Sequence, residues 1–508
     1  MTTHINQSAQ YEVAVIGAGF AGLATAIRLI KEGRDSFIMF ERAAEPGGTW
    51  RDNVYPGCAC DIQSHLYSLS GNQNPDWSRQ FPPQAEILNY LRDTVAQFSL
   101  NEKIRYNTEI TALEFDADAG CWTVRARDGF TITARVVVMA IGILNRPHVP
   151  NIAGLKNFQG ELFHSSNWNY DYDLRGKRVA VIGTGASAIQ FVPHVARAVD
   201  TMYLYQRSAP WVIPKGNRRY LRIEKFLFRV FPGLLNWSRK KVFWLNEFRG
   251  RALLGNAFMQ FVIERVGRFH LWRSMRDPVK RAMVQPRHRF GCKRVLLSND
   301  YYPALDRKNV TIITTPIREI TASAVITSDG QERPVDAIIL GTGFVSAELH
   351  ADLTVRGLDG RELLSEWQNS TGPEAYLGTT ISGYPNLVML LGPNTGLGHN
   401  SVVYMVESQV DYLSEYLRTL DGSSGDAYLN VRAEVQDAYN RELSEKLADS
   451  VWSSGCTNWY ATSAGKNTAI WPEGAHRFQK RTRRIDVGDY ERVLTGPRSR
   501  VTEATPVA

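Results

Sequence analysis

Residues 12–41 read EVAVIGAGFAGLATAIRLIKEGRDSFIMFE. The β-branched run VAVIG predicts a buried strand, GAGFAG a glycine turn, FAGLATAIRLIKEG a helix and SFIMF a second strand. In such a turn Gly17 permits the tight bend, Gly19 lets a pyrophosphate approach the backbone, and Gly22 lets the helix pack on the sheet. The phosphates then meet a helix N-terminus, where amide donors and the dipole favour negative charge. Glu41 closes the second strand, 24 residues after Gly17. A carboxylate there accepts from a ribose hydroxyl and repels a 2′-phosphate, so the adenosine is that of FAD or NAD.

The plan recurs between Arg178 and Gln206. RVAVIG is a strand, GTGASA a second phosphate turn (Gly183, Gly185, Ala188), then comes a helix with Val192, Val195 and Ala198 on one side, then MYLYQ. Where the first copy has Glu41, the second has Gln206 and Arg207, and an arginine suits a 2′-phosphate. The contrast assigns FAD to the first turn and NADPH to the second. Each half also ends a strand in a small-x-Gly step, at Gly142 and Gly343. The expected fold is α/β: two Rossmann-like dinucleotide-binding domains with a helical insertion in the NADP domain. Residues 1–150 and 385–508 would form the FAD domain, 151–217 and 290–384 the NADP domain, and 218–289 the insertion.

The net charge of +8 is unevenly spread. Between Lys215 and Arg294 stand 21 Lys or Arg against 4 Asp or Glu, an excess of +17, so the remainder carries −9. The insertion is basic, aromatic and helical in period, with Pro232, Gly233 and Gly250 expected to divide it. Its aromatics are expected to line a substrate tunnel while its charges face water, since aromatics at helical spacing are usually core. On that reading membrane-surface contact is not favoured, and nucleic-acid binding is not expected. Downstream, NSVVYMVESQVDYLSEYL reads as a capped helix with Val403, Val406, Val410, Leu413 and Leu417 on one face. The opening MTTHINQSAQ is polar, unlike a secretory leader, and five cysteines (Cys58, Cys60, Cys121, Cys292, Cys456) are an odd, sparse set. Free thiols and a cytoplasmic location are expected. The tail beyond Gly496 has little to bury and is expected to fray.

Two nucleotide sites imply hydride transfer from NADPH to flavin. A disulfide acceptor is poorly served, because Cys58 and Cys60 are too close to bridge without strain. Oxygen is the remaining common acceptor. The stretch FQGELFHSSNWN (158–169) then gains meaning. It resembles the class B flavoprotein monooxygenase fingerprint F-x-G-x-x-x-H-x-x-x-W-[PD], in the form of the Baeyer–Villiger branch. Phe158, Gly160, His164 and Trp168 match, whereas Asn169 departs. A second fingerprint, [AG]-G-x-W-x4-[FY]-P-[GM]-x3-D, is met by Gly47, Gly48, Trp50, Tyr55, Pro56, Gly57 and Asp61. The likeness covers nearly the whole chain, including FGCKRVLLSNDYY, GTGF at Gly341, LGPNTGLGHNS and NWYATSAGKN; the insertion is its least similar part.

The resemblance implies FAD contacts at Gly17, Gly19, Phe20, Gly22, Glu41, Gly48, Thr49, Trp50, Asp61, Tyr67 and Ile110. It implies NADP contacts at Thr184, Gly185, Ala186, Ser187, Arg207, Ser208, Lys293 and Trp459. Arg294 matches the family's catalytic arginine and Asp61 its carboxylate partner; His164 belongs to a linker that couples domain motion. The implied reaction uses O2 and a flavin C4a-peroxide to turn a lipophilic ketone into an ester or lactone, with sulfides as further substrates. A guanidinium suits it, since Arg keeps its proton while donating to an anion and can stabilise the oxyanion of the adduct. The alternative is an N- or S-oxygenating flavin monooxygenase with little ketone activity.

Overall fold

The computed structural model describes residues 10–345, 352–422, 427–456, 458–462 and 464–495; the tail expected to fray lies outside them. The opening stretch forms β1 (Gln10–Ile16), α1 (Phe20–Lys31) and β2 (Phe37–Phe40). β1 pairs in parallel with β2 on one side and with β3 (Thr131–Met139) on the other. Val13, Ala14 and Val15 are wholly buried, as a strand covered on both faces must be. Strands Cys121–Ala126, Ile110–Asp116 and Thr354–Arg356 extend this sheet beyond β3, and Ile104–Arg105 extends it beyond β2. Leu387–Met389 pairs with the last residues of β3; since Thr354–Arg356 already pairs with Ala112–Glu114, the chain returns to the first sheet before the expected boundary at 385.

The second sheet repeats the arrangement. β4 (Arg178–Ile182) leads through a glycine turn into α2 (Ala188–Ala198) and β5 (Thr201–Tyr205). β4 pairs in parallel with β5 and with β6 (Ala337–Leu340). Val310–Ile313 and Glu161–His164 complete a five-stranded parallel sheet. The likeness extends to single atoms. Gly17 has φ 108° and a Cβ there would lie 2.5 Å from the Ala140 carbonyl oxygen; Gly183 has φ 112° and would meet the Gly341 oxygen at 2.2 Å. In both copies the turn presses on the backbone that leaves the neighbouring strand, and only glycine fits. On α2, Val192 and Val195 are buried as expected, but Ala198 is exposed at the helix end and Ala196 takes the inner position.

The insertion forms α3 (Arg222–Val230), α4 (Pro232–Gly250) and α5 (Ala257–Ser274), followed by a short helix, Pro278–Met283. Pro232 opens α4, where its missing N–H costs nothing, and Gly233 lies inside that helix rather than breaking it. The expectation that the aromatics face inward is corrected. Phe228 and Phe243 are buried, but Phe226, Trp237, Trp244, Phe248, Phe258, Phe261, Phe269 and Trp272 are exposed. Helical period shows that a stripe is apolar, but α4 is apolar on two sides and only one can face the core. The downstream helix α6 (Val402–Asp421) buries Val403, Val406, Val410, Leu413 and Leu417 as expected.

The thiol expectation is also corrected. Cys292 and Cys456 form a disulfide across 164 residues, with Cα atoms 6.3 Å apart, while Cys58, Cys60 and Cys121 are buried and outside any disulfide. Two cysteines distant in sequence carried no pairing signal until the fold brought them together.

Candidate active site

A cleft opens at the N-terminus of α1. Gly17, Gly19, Phe20, Glu41, Gly48, Thr49, Trp50, Tyr67 and Ile110 line it, all singled out from sequence. Gly22 does not line it but supports the turn: a Cβ there would lie 1.9 Å from the Gly17 oxygen and 3.2 Å from Met39 Cε on β2. Gly19 and Gly48 face each other with bare backbone, a Cβ on Gly48 reaching 3.5 Å from the Gly19 Cα. No side chain caps α1 and no acid sits in its first turn, so its first amides are available to an anion. The walls Arg51, Thr108, Gly142, Leu391 and Val403 were not singled out as site residues from sequence. Gly142, Leu391, Val403 and Arg51 stood in segments already noted there for other reasons, whereas Thr108 carried no signal; long-range folding brings them to one cleft.

Glu41, 5% exposed, has a second duty. Its oxygens accept from the Ala18 amide (3.0 Å), the Ala43 amide (3.0 Å) and Arg51 Nη1 (2.8 Å). A carboxylate has about four lone-pair sites, so one remains for a ribose hydroxyl. Trp50 Nε1 donates to the Tyr67 hydroxyl (3.1 Å), and Phe20 packs edge-on against the Tyr67 ring at 5.1 Å. These fixed rings and bare glycines fit a flat ring system with a pyrophosphate tail.

The loop from Gly47 to Asp61 is clamped to α2 of the other half. Gln190 donates to the Ala59 carbonyl (2.9 Å) and accepts from the Tyr55 hydroxyl (3.1 Å) and the Ala59 amide (3.2 Å). Gly57, at φ 80°, allows this contact; a Cβ would sit 2.7 Å from His194 Nε2. The clamp positions Asp61. Its Oδ2 accepts from Arg294 Nε (2.9 Å) and Nη2 (2.6 Å), while Arg294 Nη1 donates to the Leu397 carbonyl (3.3 Å). Burial works against the charge on Asp61, but Arg294 overcomes it and holds the carboxyl below its usual value. Asp61 in turn raises the guanidinium pKa. The pair is therefore ionised at neutral pH. Their side chains stay 27% and 31% exposed, and of five N–H groups on Arg294 two remain for another molecule.

Two neighbours complete this centre. Lys215 Nζ donates to the Cys60 carbonyl (3.2 Å); burial lowers its pKa while Asp61 opposes the shift. Tyr460 is buried beside Arg294 and its phenol is pushed up to about 12, first by burial. Neither was singled out from sequence: Lys215 stands in no motif, and Tyr460, although inside NWYATSAGKN, meets Arg294 only through the fold.

The second turn brings Thr184, Ser208 and Lys293 together. Thr184 Oγ1 donates to the Ser208 carbonyl (3.3 Å) and Lys293 Nζ to Ser208 Oγ (2.7 Å). Gly185 and Ala186 are exposed, with open space at Gly185, and α2 lacks a side-chain cap or an acid in its first turn. Burial and then the nearby Arg207 disfavour the positive charge of Lys293; an anion between the two would relieve that repulsion. Trp459, 41% exposed, packs on Tyr460 with ring centres 4.5 Å apart. The bridged Cys292 lies next to Lys293, and Asn458 Nδ2 donates to the Cys292 carbonyl (3.1 Å). The disulfide thus ties the Lys293–Arg294 segment to that of Trp459.

The fingerprint at 158–169 is structural here. Trp168 packs on Phe163 and on Phe191 of α2, both at 5.2 Å, and Phe191 meets Tyr55 at 6.1 Å. His164 is buried at a strand end beside Phe344. Asn169, the departure from the pattern, accepts from the Asp171 amide (2.9 Å) and donates to Glu161 (2.8 Å). An aspartate could make the same turn bond, so the local fold survives the change.

A paired Rossmann frame with an ionised Arg–Asp couple at their junction defines a two-nucleotide oxidoreductase. The flavin-binding monooxygenase-like family matches residues 10–352. A Baeyer–Villiger monooxygenase of Pseudomonas aeruginosa PAO1 is 47% identical over 489 residues, covering 95% of this chain and 92% of that protein. Another, from Streptomyces coelicolor A3(2), is 41% identical over 498 residues, covering 98% and 95%. The crystal structure of OTEMO in complex with FAD and NADP matches with a TM-score of 0.85 at 26% identity, over 96% of this chain and 100% of that one. The chain belongs to the flavin-binding monooxygenase family, in its Baeyer–Villiger branch. It is an FAD-containing, NADPH-dependent monooxygenase.

Proposed function

We propose that the chain inserts one atom of O2 beside the carbonyl of a lipophilic ketone, giving an ester or lactone, and that Arg294 and Asp61 carry the oxygenation step. The observation behind this is the ionised pair, with two guanidinium N–H groups to spare. When bound, NADPH supplies a hydride and FAD the two-electron chemistry that activates O2. Arg294 holds a fixed positive charge where negative charge develops and gives up no proton to it. Asp61 orients the guanidinium, and cofactor and substrate seated on the part-exposed pair would exclude water that would waste the oxidant. Gly17, Gly19, Phe20, Gly22, Glu41, Gly48, Thr49, Trp50, Tyr67 and Ile110 would hold FAD, with Asp61 acting from the junction. Thr184, Gly185, Ala186, Ser187, Arg207, Ser208, Lys293 and Trp459 would hold NADPH, with Arg207 and Lys293 on the 2′-phosphate. A cytoplasmic location, where NADPH is regenerated, belongs to the same reading.

Sulfides are proposed as further substrates. The test is NADPH consumption over linear, cyclic and aryl ketones beside aryl sulfides, with products identified. Esters or lactones are expected. Sulfoxides alone would move the enzyme to the heteroatom-oxidising class.

A further inference from the structure

Among the described residues, 18 of the 26 exposed large apolar side chains lie in the insertion. Every exposed phenylalanine is among them, so this exposure is concentrated rather than scattered. It also follows the helices. On α3, Ile223, Phe226 and Val230 point outward; on α4, Trp237, Trp244 and Phe248; on α5, Phe258, Phe261, Phe269 and Trp272. The opposite faces are already used. Phe243 and Glu247 of α4 pack on Tyr404 and His399, and Gly267 of α5 sits 3.2 Å, measured from a would-be Cβ, from the Trp211 ring.

The exposed charges around these side chains are mostly positive and the acids among them are engaged: Asp76, beside α3, is bound by Arg229. Glu224 is held by Arg218, Glu247 is buried, Asp277 caps the short helix after α5, and Glu264 accepts from the Phe290 amide. Lys240, Lys241, Arg265, Arg268 and Arg273 are exposed. Lys241 lies 5.2 Å from the Trp237 ring and Arg265 4.9 Å from the Phe261 ring. A cation beside an outward aromatic ring is the arrangement that sits at a headgroup boundary, ring in the acyl edge and charge among phosphates.

We propose that the outward face of the insertion docks on an anionic phospholipid surface. Charge complementarity selects this occupant. A second copy meeting this face across a two-fold axis would oppose cation to cation. A nucleic acid would satisfy the cations but leave Ile223, Val230 and the phenylalanines without an apolar partner. No helix among the described residues is long and apolar enough to cross a membrane, so the contact is with one leaflet.

The test is flotation of the FAD-loaded full chain with vesicles of phosphatidylcholine alone or mixed with phosphatidylglycerol, at low and high salt. Binding to the anionic vesicles, weakened by salt, with a blue shift of tryptophan emission, is expected. Lys240→Glu with Lys241→Glu should lower that binding by about tenfold or more. Phe258→Gln, Phe261→Gln, Phe269→Gln and Trp272→Gln together should abolish it while flavin content is kept. Because the fourfold variant could fail to fold, the charge pair provides an independent arm. Absence of vesicle binding, or binding by both variants as strong as the parent's, would overturn the proposal. So would a dimer in sedimentation that the fourfold variant dissolves, or salt-sensitive duplex DNA binding that the fourfold variant retains.

Discussion

Arg294 reaches one oxygen of Asp61 with two of its nitrogens, at 2.9 and 2.6 Å, across 233 residues of chain. The two side chains come from segments far apart in the chain, and the other recorded bond of Arg294 goes to the uncharged Leu397 carbonyl. Replacing Arg294 by Ala should leave FAD bound and NADPH able to reduce it, while ester formation falls by about a hundredfold or more. NADPH would still be consumed, yielding hydrogen peroxide. Arg294→Lys should recover little, because a point charge lacks the planar fork. Normal ester yield from the Ala variant would remove Arg294 from the chemistry.

Arg207 and Lys293 place two positive charges beside one serine, Ser208, at the second turn. A charge-assisted bond to phosphate is worth about 1.5–3 kcal/mol. Arg207→Ala should therefore raise KM for NADPH by about tenfold or more and leave KM for NADH nearly unchanged. Steady-state kinetics with both nucleotides measures this. An equal rise for both would mean that Arg207 supports the turn rather than reading the 2′-phosphate.

Legibility in the sequence followed the range of the interactions. The two glycine turns are local, so strand, bend and helix stood in one window of about thirty residues, and Glu41 and Arg207 fell at equivalent places. The Asp61–Arg294 pair was legible only through two family motifs, because nothing local says that residues so distant meet. Lys215 and Gln190 stood in no motif, and Arg51 and Tyr460 stood at unassigned positions inside motif segments; all four act through packing between segments. The insertion misled for a different reason: α4 is apolar on two faces, and period alone does not choose between Phe243 inside and Trp244 outside.

The Cys292–Cys456 bridge can be counted. Denatured without reductant, the chain should titrate three thiols, those of Cys58, Cys60 and Cys121, and after reduction all five. Both partners adjoin segments that the proposed reaction uses, Lys293–Arg294 and Asn458–Tyr460. Cys456→Ser should therefore perturb KM for NADPH more than flavin content. Five thiols in unreduced protein, prepared with trapping at lysis, would show that the pair is reduced in the cell.

Glu247 anchors the insertion to the rest of the molecule. It is 7% exposed and accepts from His399 (3.0 Å), His476 (2.6 Å), Asn400 (2.7 Å) and the Ala475 amide (3.2 Å). Burial alone would raise its pKa, but these donors overcome burial and hold it at about 2, against an ordinary 4.5. Because the folded value lies below the unfolded one, the carboxylate contributes stability above the ordinary value, and that contribution fades as pH falls toward 2. The amount is a few kcal/mol at neutral pH. Glu247→Gln should melt several degrees lower at pH 7 and lose less of its Tm between pH 5 and 3 than the parent does. Thermal melts across that range decide it: an acid limb unchanged by the substitution would mean that other carboxylates carry the pH dependence and that Glu247 holds the insertion by shape alone.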